Sequence, residues 1–181
     1  MRIVPFKTPL WSFSLGDIQD STIDKCYALE QQLPNIEMSN RGGYQSPNIS
    51  LSATFPELYQ NVCLLKSVIE DEAGFRLNIT DAWLNINRKH SYNIEHIHPQ
   101  SVFSGVIYLK VPADSGAVMF KNPTPVALFP AHHDSPLFTP YCSYQPNVGA
   151  VVFFPSYLPH FVEANKSDEA RISIAFNTEP M

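Results

Sequence analysis

A chain of 181 residues, 44% of them apolar and 16% charged, has the length of one globular domain and enough apolar material to bury a core without staples. Its net charge of −5, with no basic cluster, excludes a visible nucleic-acid footprint, and no run of about 18 apolar residues is present to span a membrane. The three cysteines are far apart and odd in number, which excludes a disulfide framework or paired-cysteine zinc site and fits a reducing, cytoplasmic setting.

Met1–Lys7 has neither a long apolar core nor a small-residue cleavage site, so no signal peptide is expected. Residues 3–15 alternate loosely around Pro9, through Phe6, Leu10, Trp11, Phe13 and Leu15, and read as an early strand pair. Between Asp17 and Gln32 the period changes. Ile23, Cys26, Tyr27, Leu29 and Leu33 form a stripe at helical spacing, with Glu30 at its edge. Asp20, Ser21 or Thr22 would cap this helix, and Pro34 stops it. Residues 35–52 are polar, and Gly42-Gly43 marks a turn or a close backbone approach. A second helix begins near Pro56, directs Leu58, Val62, Leu65, Val68 and Ile69 to the core, and ends at Gly74.

From Phe75 onward the pattern is β. Candidate strands are 75–79, 81–88, 91–98, 102–111, 116–121, 126–131, 149–154, 159–164 and 170–177, separated by Gly, Pro, Asn and Asp turns. Many short strands after two helices give an α+β class, mainly β, with a β-sandwich or jelly roll as its body. The expected organisation is a single domain over 1–181. Residues 1–74 supply N-terminal strands and supporting helices, and 75–181 supply the β core. A proline-rich loop over 122–147 reads as a lid or binding loop.

His96 and His98 stand two apart in an alternating run, so a strand would place both on one face. Neighbouring neutral imidazoles suit Fe, Zn, Cu or Ni, and ordinary hydrogen-bonded strand histidines are the plain alternative. His160 follows a very apolar strand and a proline-flanked turn, and is the candidate third ligand. Arg171 and Ser173 share one face of the last strand. Burying that guanidinium without an anion would cost several kcal/mol. It would therefore serve as a two-pronged carboxylate grip, unless Glu163 or Glu169 pairs with it. His132-His133-Asp134 contains a literal His-x-Asp, but it sits in the proline-rich loop, close in sequence to His160. It ranks below His96/His98 as a metal site and reads best as a substrate-facing loop.

Taken in order, these pieces resemble the Fe(II)/2-oxoglutarate-dependent oxygenases, in particular small bacterial and phage members near the prolyl-hydroxylase-like branch. The likeness runs through Ser39–Ser46, Ala82–Asn87, His96–Ser101, Ser104–Leu109, Phe154–Ser156 with His160, and Arg171–Asn177. The resemblance implies a double-stranded β-helix, a jelly-roll, cupin-like fold. It implies Fe(II) as cofactor, held by His96, His98 and His160, and 2-oxoglutarate as cosubstrate, its far carboxylate gripped by Arg171 with Ser173. Asn85 and Asn87 then fall on a strand that contacts the cosubstrate, and Tyr108 lines the same space. Such an enzyme hydroxylates a small-molecule or peptidyl substrate. No membrane or nucleic-acid partner is expected, and the oligomeric state stays open, a homodimer included.

One position departs from the pattern. The superfamily usually has His-x-Asp or His-x-Glu, and this chain has His98 at the carboxylate position. That leaves several readings open: a carboxylate from elsewhere, such as Glu95 or Asp114, or a different metal. A three-histidine metal dioxygenase or cupin-type enzyme that uses no 2-oxoglutarate is another, as is a non-enzymatic β-sandwich binding or structural protein.

Overall fold

The computed structural model describes residues 8–124 and 139–181. The candidate strand 126–131 and His132-His133-Asp134 lie outside these residues. In chain order the elements are β1 (Trp11–Ser14), α1 (Asp20–Gln32), β2 (Asn40–Arg41), β3 (Tyr44–Gln45), α2 (Leu51–Thr54) and α3 (Pro56–Ala73). There follow β4 (Leu77–Asn87), β5 (Tyr92–His96), β6 (Phe103–Lys110), β7 (Val118–Lys121), β8 (Tyr141–Tyr144), β9 (Ala150–Pro155), β10 (His160–Val162) and β11 (Arg171–Pro180). Among the described residues no helix is long and apolar enough to cross a membrane.

The strands form two sheets, six-stranded β1-β9-β6-β11-β4-β3 and five-stranded β2-β5-β10-β7-β8. Every recorded pairing is antiparallel. This is the β-rich, two-sheet body expected from the strand pattern. The first 74 residues do more than support it, because β1, β2 and β3 join the two sheets.

The large sheet is covered on both faces. On one side Leu84, Ile86, Ile172, Ile174 and Phe176 pack with Val62 and Ile69 of α3. On the other, Tyr108, Val152 and Phe154 meet Val118 and Phe120 of the small sheet. A strand between two apolar layers must be apolar on both faces. That is why β9 reads Ala-Val-Val-Phe-Phe-Pro without alternation and is buried throughout. Each large aliphatic or aromatic side chain fully buried here contributes roughly 1.5–3 kcal/mol.

The helices follow their sequence signals with three corrections. The first helix starts at Asp20 with Gln19 as its N-cap and no side-chain capping bond, so Asp20, Ser21 and Thr22 are already within the helix. Val68 is 51% exposed rather than in the core, because the apolar stripe is narrower than the sequence suggested. The short α2, capped by the Ser50 hydroxyl accepting from the Ala53 N–H, has no apolar period long enough to announce it. Pro56 opens α3, and Gly74, at φ 81°, closes it in the left-handed region.

Two further differences concern strands. The runs 75–79 and 81–88 are one strand, β4. An irregularity where Phe176 faces Ala82 and Thr178 faces Ile79 inserts an extra β4 residue, and this mimics a break in the alternation. β8 falls within the expected 122–147 loop; its residues are mostly exposed, as an edge strand's can be.

β4 enters the sheet under tight control. The buried Glu70 of α3 accepts from the Leu77 N–H (2.7 Å) and from Arg76 (3.0 Å), and pairs with Lys66. Lys66 also donates to the Leu77 carbonyl (2.8 Å). Burial alone would raise the Glu70 carboxyl, but the bonds from Lys66, Leu77 and Arg76 outweigh it and hold the group at about 2. At the far end, Arg88 grips Glu30 of α1 through two bonds (2.6 and 2.8 Å).

Glu70→Gln is expected to cost about 1.5–3 kcal/mol, the value of hydrogen bonds to a charged group, measured by urea unfolding at pH 7. The folded carboxyl lies below its ordinary value of 4.5. Its contribution is therefore complete above that value and drains away as pH falls toward about 2. The variant should lose less stability than the parent across that window. A second expectation concerns Gly105 on β6, where an added Cβ would run into the Phe176 ring. Gly105→Ala should cost about 1–3 kcal/mol by overpacking, read as a lower thermal midpoint.

Candidate metal centre and adjoining cavity

β5 and β10 lie side by side, and His96 is paired directly opposite His160. The strand ends at His96, so His98 sits just beyond it rather than in the strand as the alternation suggested. Its backbone N–H still reaches the Ser156 carbonyl (3.0 Å), which ties this segment to the turn before β10. The three imidazoles converge. Ring centroids are 4.3 Å apart for His96–His160 and 5.1 Å for each of the other two pairs. One ring nitrogen from each lies within 4.8 Å of the others.

The protonation pattern follows from the neighbours. His96 Nδ1 lies 2.7 Å from the Ile94 carbonyl and His160 Nδ1 lies 2.9 Å from the Leu158 carbonyl. A carbonyl only accepts, so each Nδ1 carries the proton and each Nε2 keeps a free lone pair. His98 Nε2 stands 3.3 Å from His160 Nε2. Burial lowers all three rings, and their mutual proximity lowers His98 and His160 further. His98 is pulled down to about 4 and His160 to about 3. At neutral pH this is a cluster of uncharged imidazoles with converging lone pairs, as a divalent transition metal requires. Among the described residues no carboxylate joins the cluster. Glu95 turns outward to Lys121 (2.9 Å), and Asp114 sits exposed in a turn at φ 57°.

Behind the histidines a cavity of about 60 Å³ runs to Arg171. Arg171 is 3% exposed. Its Nη1 donates to the Ser115 and Gly116 carbonyls (2.5 and 3.2 Å). Neither carboxylate considered as a structural partner takes it, since Glu169 pairs with Lys110 and Glu163 accepts from the Ala117 N–H. Among the described residues its charge has no anion within salt-bridge distance. Burial accordingly lowers the guanidinium's pKa.

The β4–β11 register explains which side chains share this cavity. Arg171 faces Asn87, Ser173 faces Asn85, and Ala175 faces Trp83, all with the same pleat direction. On its other edge β11 places Ser173 opposite Tyr108 of β6. The five positions singled out from sequence, Asn85, Asn87, Tyr108, Arg171 and Ser173, thus line one space. The Asn85 and Asn87 Oδ1 atoms and the Ser115 hydroxyl are buried without a hydrogen-bond partner among the described residues. Burial pushes the Tyr108 phenol up, so it stays protonated and able to donate.

Other lining residues escaped the sequence reading. Asn93 accepts from Asn87 (3.0 Å) and donates to Ser39 (3.1 Å). A strict two-residue period puts Asn93 on the face opposite His96. The register slips between them, with two β5 residues, Ile94 and Glu95, set against one of β10, Phe161, so both face inward. Phe154 packs edge-on to His160 (4.6 Å between centroids) and Trp83 lies against His98 (5.5 Å). Trp83 and Phe154 fell within segments that carry the family resemblance, but nothing in the sequence marked them as facing the site.

Comparison with known proteins agrees with this geometry. The structure resembles a Pseudomonas putida prolyl-4-hydroxylase (TM-score 0.67, 15% identity, 95% of this chain and 92% of that one). It also resembles the viral collagen prolyl hydroxylase of Paramecium Bursaria Chlorella virus-1 in its 2OG complex (TM-score 0.60, 16% identity, 93% and 94%). A third is HygX from Streptomyces hygroscopicus with nickel, 2-oxoglutarate and hygromycin B bound (TM-score 0.64, 14% identity, 96% and 84%). At such identities these establish the shared double-stranded β-helix fold. A search of curated proteins found no match. The model of the family described as "Putative 2OG-Fe(II) oxygenase" matches residues 81–177, more than half of the chain. The chain therefore belongs to this family of Fe(II)- and 2-oxoglutarate-dependent oxygenases.

Proposed function

We propose that this oxygenase hydroxylates an unactivated C–H bond of a small-molecule or peptidyl substrate, with His96, His98 and His160 as the iron ligands and Arg171, helped by Ser173, as the grip on 2-oxoglutarate. The observation that carries this reading is the buried, anion-free guanidinium of Arg171, facing the same cavity as three neutral imidazoles. A buried cation held only by carbonyls is stable when a ligand completes its charge. The far carboxylate of a dicarboxylic keto acid does so with two parallel bonds.

The donor set fits the metal. The free Nε2 lone pairs of His96 and His160 converge with His98, and all three rings are uncharged at neutral pH. Iron held there supplies the oxidising chemistry of the family, activating O2 at the cost of oxidatively decarboxylating 2-oxoglutarate. The protein's own work is binding, orientation and exclusion of water. The Ser173 hydroxyl, the Tyr108 phenol and the Asn85 amide offer hydrogen-bond donors along the keto acid's path. Phe120 and Phe154 close the wall beside His160, where water would compete.

Anaerobic addition of Fe(II) and 2-oxoglutarate should give the weak visible band of a metal–keto acid chelate. Arg171→Ala should weaken 2-oxoglutarate binding by about 100-fold, as losing one partner of a buried charge pair does, and should leave Fe(II) affinity within about threefold. Unchanged keto-acid affinity would remove Arg171 from this role. Fe(II) or Zn(II) affinity, followed by calorimetry, should hold to lower pH than at a site of ordinary histidines, because burial lowers all three rings, and should collapse below about 4. The two lowest rings, His98 at about 4 and His160 at about 3, compete with protons only there, whereas ordinary histidines begin losing metal near pH 6.5. His160→Ala should lower affinity by more than the roughly 10–100-fold typical of changes around a ligand.

A further inference from the structure

The β4–β11 ladder does not stop at Trp83 and Ala175. Phe176 faces Ala82 and, past the inserted β4 residue, Thr178 faces Ile79, so Asn177 stands opposite the Thr80–Asp81 step. Asp81 and Asn177 both line a second, larger cleft of about 630 Å³, which shares Ser39, Trp83, His96 and His98 with the inner cavity. The inner cavity and this cleft are therefore two chambers meeting at the histidines. Its size is that of a small-molecule site.

The walls of the outer chamber are specific. Four of the chain's exposed large apolar side chains line it: Ile36 (36% exposed), Met38 (66%), Ile94 (39%) and Ile97 (45%). Solvated apolar side chains gathered around one cleft mark a surface that gains free energy by being covered. Among the described residues no lysine or arginine lines the cleft, and its charged groups are Glu37 and Asp81. Glu37 is shared with Arg41 (3.5 Å). The half-buried Asp81 accepts from Asn48 (2.8 Å) and has no cationic partner among the described residues. Beside it, Asn177 has its Oδ1 committed to the Ser104 hydroxyl (2.8 Å). That bond fixes the amide and leaves its nitrogen as a donor at the cleft.

We propose that the outer chamber binds the substrate, and that this substrate is a small apolar primary amine. Its ammonium sits on Asp81, and its hydrocarbon body lies on Met38, Ile94 and Ile97, with a C–H directed past Trp83 to the histidines. The inference rests on the oxygenase reading above and adds the class of substrate to it. The acidic rim, without lysine among the described residues, disfavours carboxylate and phosphate substrates by the same charge that favours an amine.

The test uses octylammonium, 1-octanol and octanoate as probes on the anaerobic enzyme loaded with Fe(II) and 2-oxoglutarate. Binding is read from the emission of Trp83 in a Trp11→Phe background and from the shift of the chelate band. Octylammonium is expected to bind tightest, 1-octanol more weakly, and octanoate at least about tenfold more weakly than the amine. Asp81→Asn should weaken octylammonium about tenfold and leave 1-octanol within about threefold, whereas Met38→Ser should weaken both. Octanoate binding as tightly as the amine, or an amine affinity indifferent to Asp81→Asn, would overturn the proposal. So would octylammonium that fails to bind while the chelate band is present. Absence of the band itself would instead count against the roles given to the histidines and Arg171. Thermal midpoints of both variants check that the cleft is intact, and Asp81→Glu, which keeps the charge, should retain most of the amine binding.

Discussion

A positive charge shut away from water is the constraint around which this molecule is arranged. Arg171 stands at the first residue of β11, and solvation of its guanidinium is replaced by two backbone carbonyls and the polar faces of neighbouring strands. Carbonyls satisfy hydrogen bonds but supply no countercharge, and it is this deficit that the proposed anionic cosubstrate would make good. Everything around it serves to hold that deficit in place. β4 lies along β11 for almost its full length, α3 fixes the entry of β4 through Glu70, and β6 closes the opposite edge.

Among the described residues the three-histidine cluster has no carboxylate. His98 occupies the position of a negative ligand, and neither Glu95 nor Asp114 comes inward to replace it. In the proposed assignment, with three neutral imidazoles as ligands, the negative charge needed near a divalent cation would come from the keto acid alone. Under that assignment cosubstrate binding would satisfy two unmet charges at once, one at each end of a small cavity. Metal and keto acid are expected to be more strongly interdependent here than at a site where a protein carboxylate has already neutralised part of the metal.

Much of this was legible in the sequence wherever a local rule acted alone. The two main helices and the β-rich remainder follow from period, breakers and spacing, while His96, His160, Arg171 and Ser173 stood out by residue type on their strands and were joined into one site by the family resemblance. What could not be read depended on pairing. Asn93 turns inward only because β5 slips against β10, and β4 looked like two strands because one residue is inserted opposite β11. His98 reaches the cluster from outside its strand, held by a bond to Ser156 nearly sixty residues away. Trp83 had no signal of its own until the register set it between two chambers. His132, His133 and Asp134, expected on a substrate-facing loop, lie outside the described residues.

The pleat of β4 and β11 has a last consequence. From 81 to 87 and from 171 to 177, odd-numbered residues face the two chambers and even-numbered residues pack into the core, Phe176 alone also reaching the inner cavity. The two strands therefore carry two interleaved messages, one specifying what the enzyme does and the other how firmly it stands. Substitutions at alternate positions can drift almost independently, so a new substrate preference can be acquired without unpicking the core. A single inserted residue, by contrast, would exchange the messages, turning isoleucines into the cavity and a guanidinium into oil.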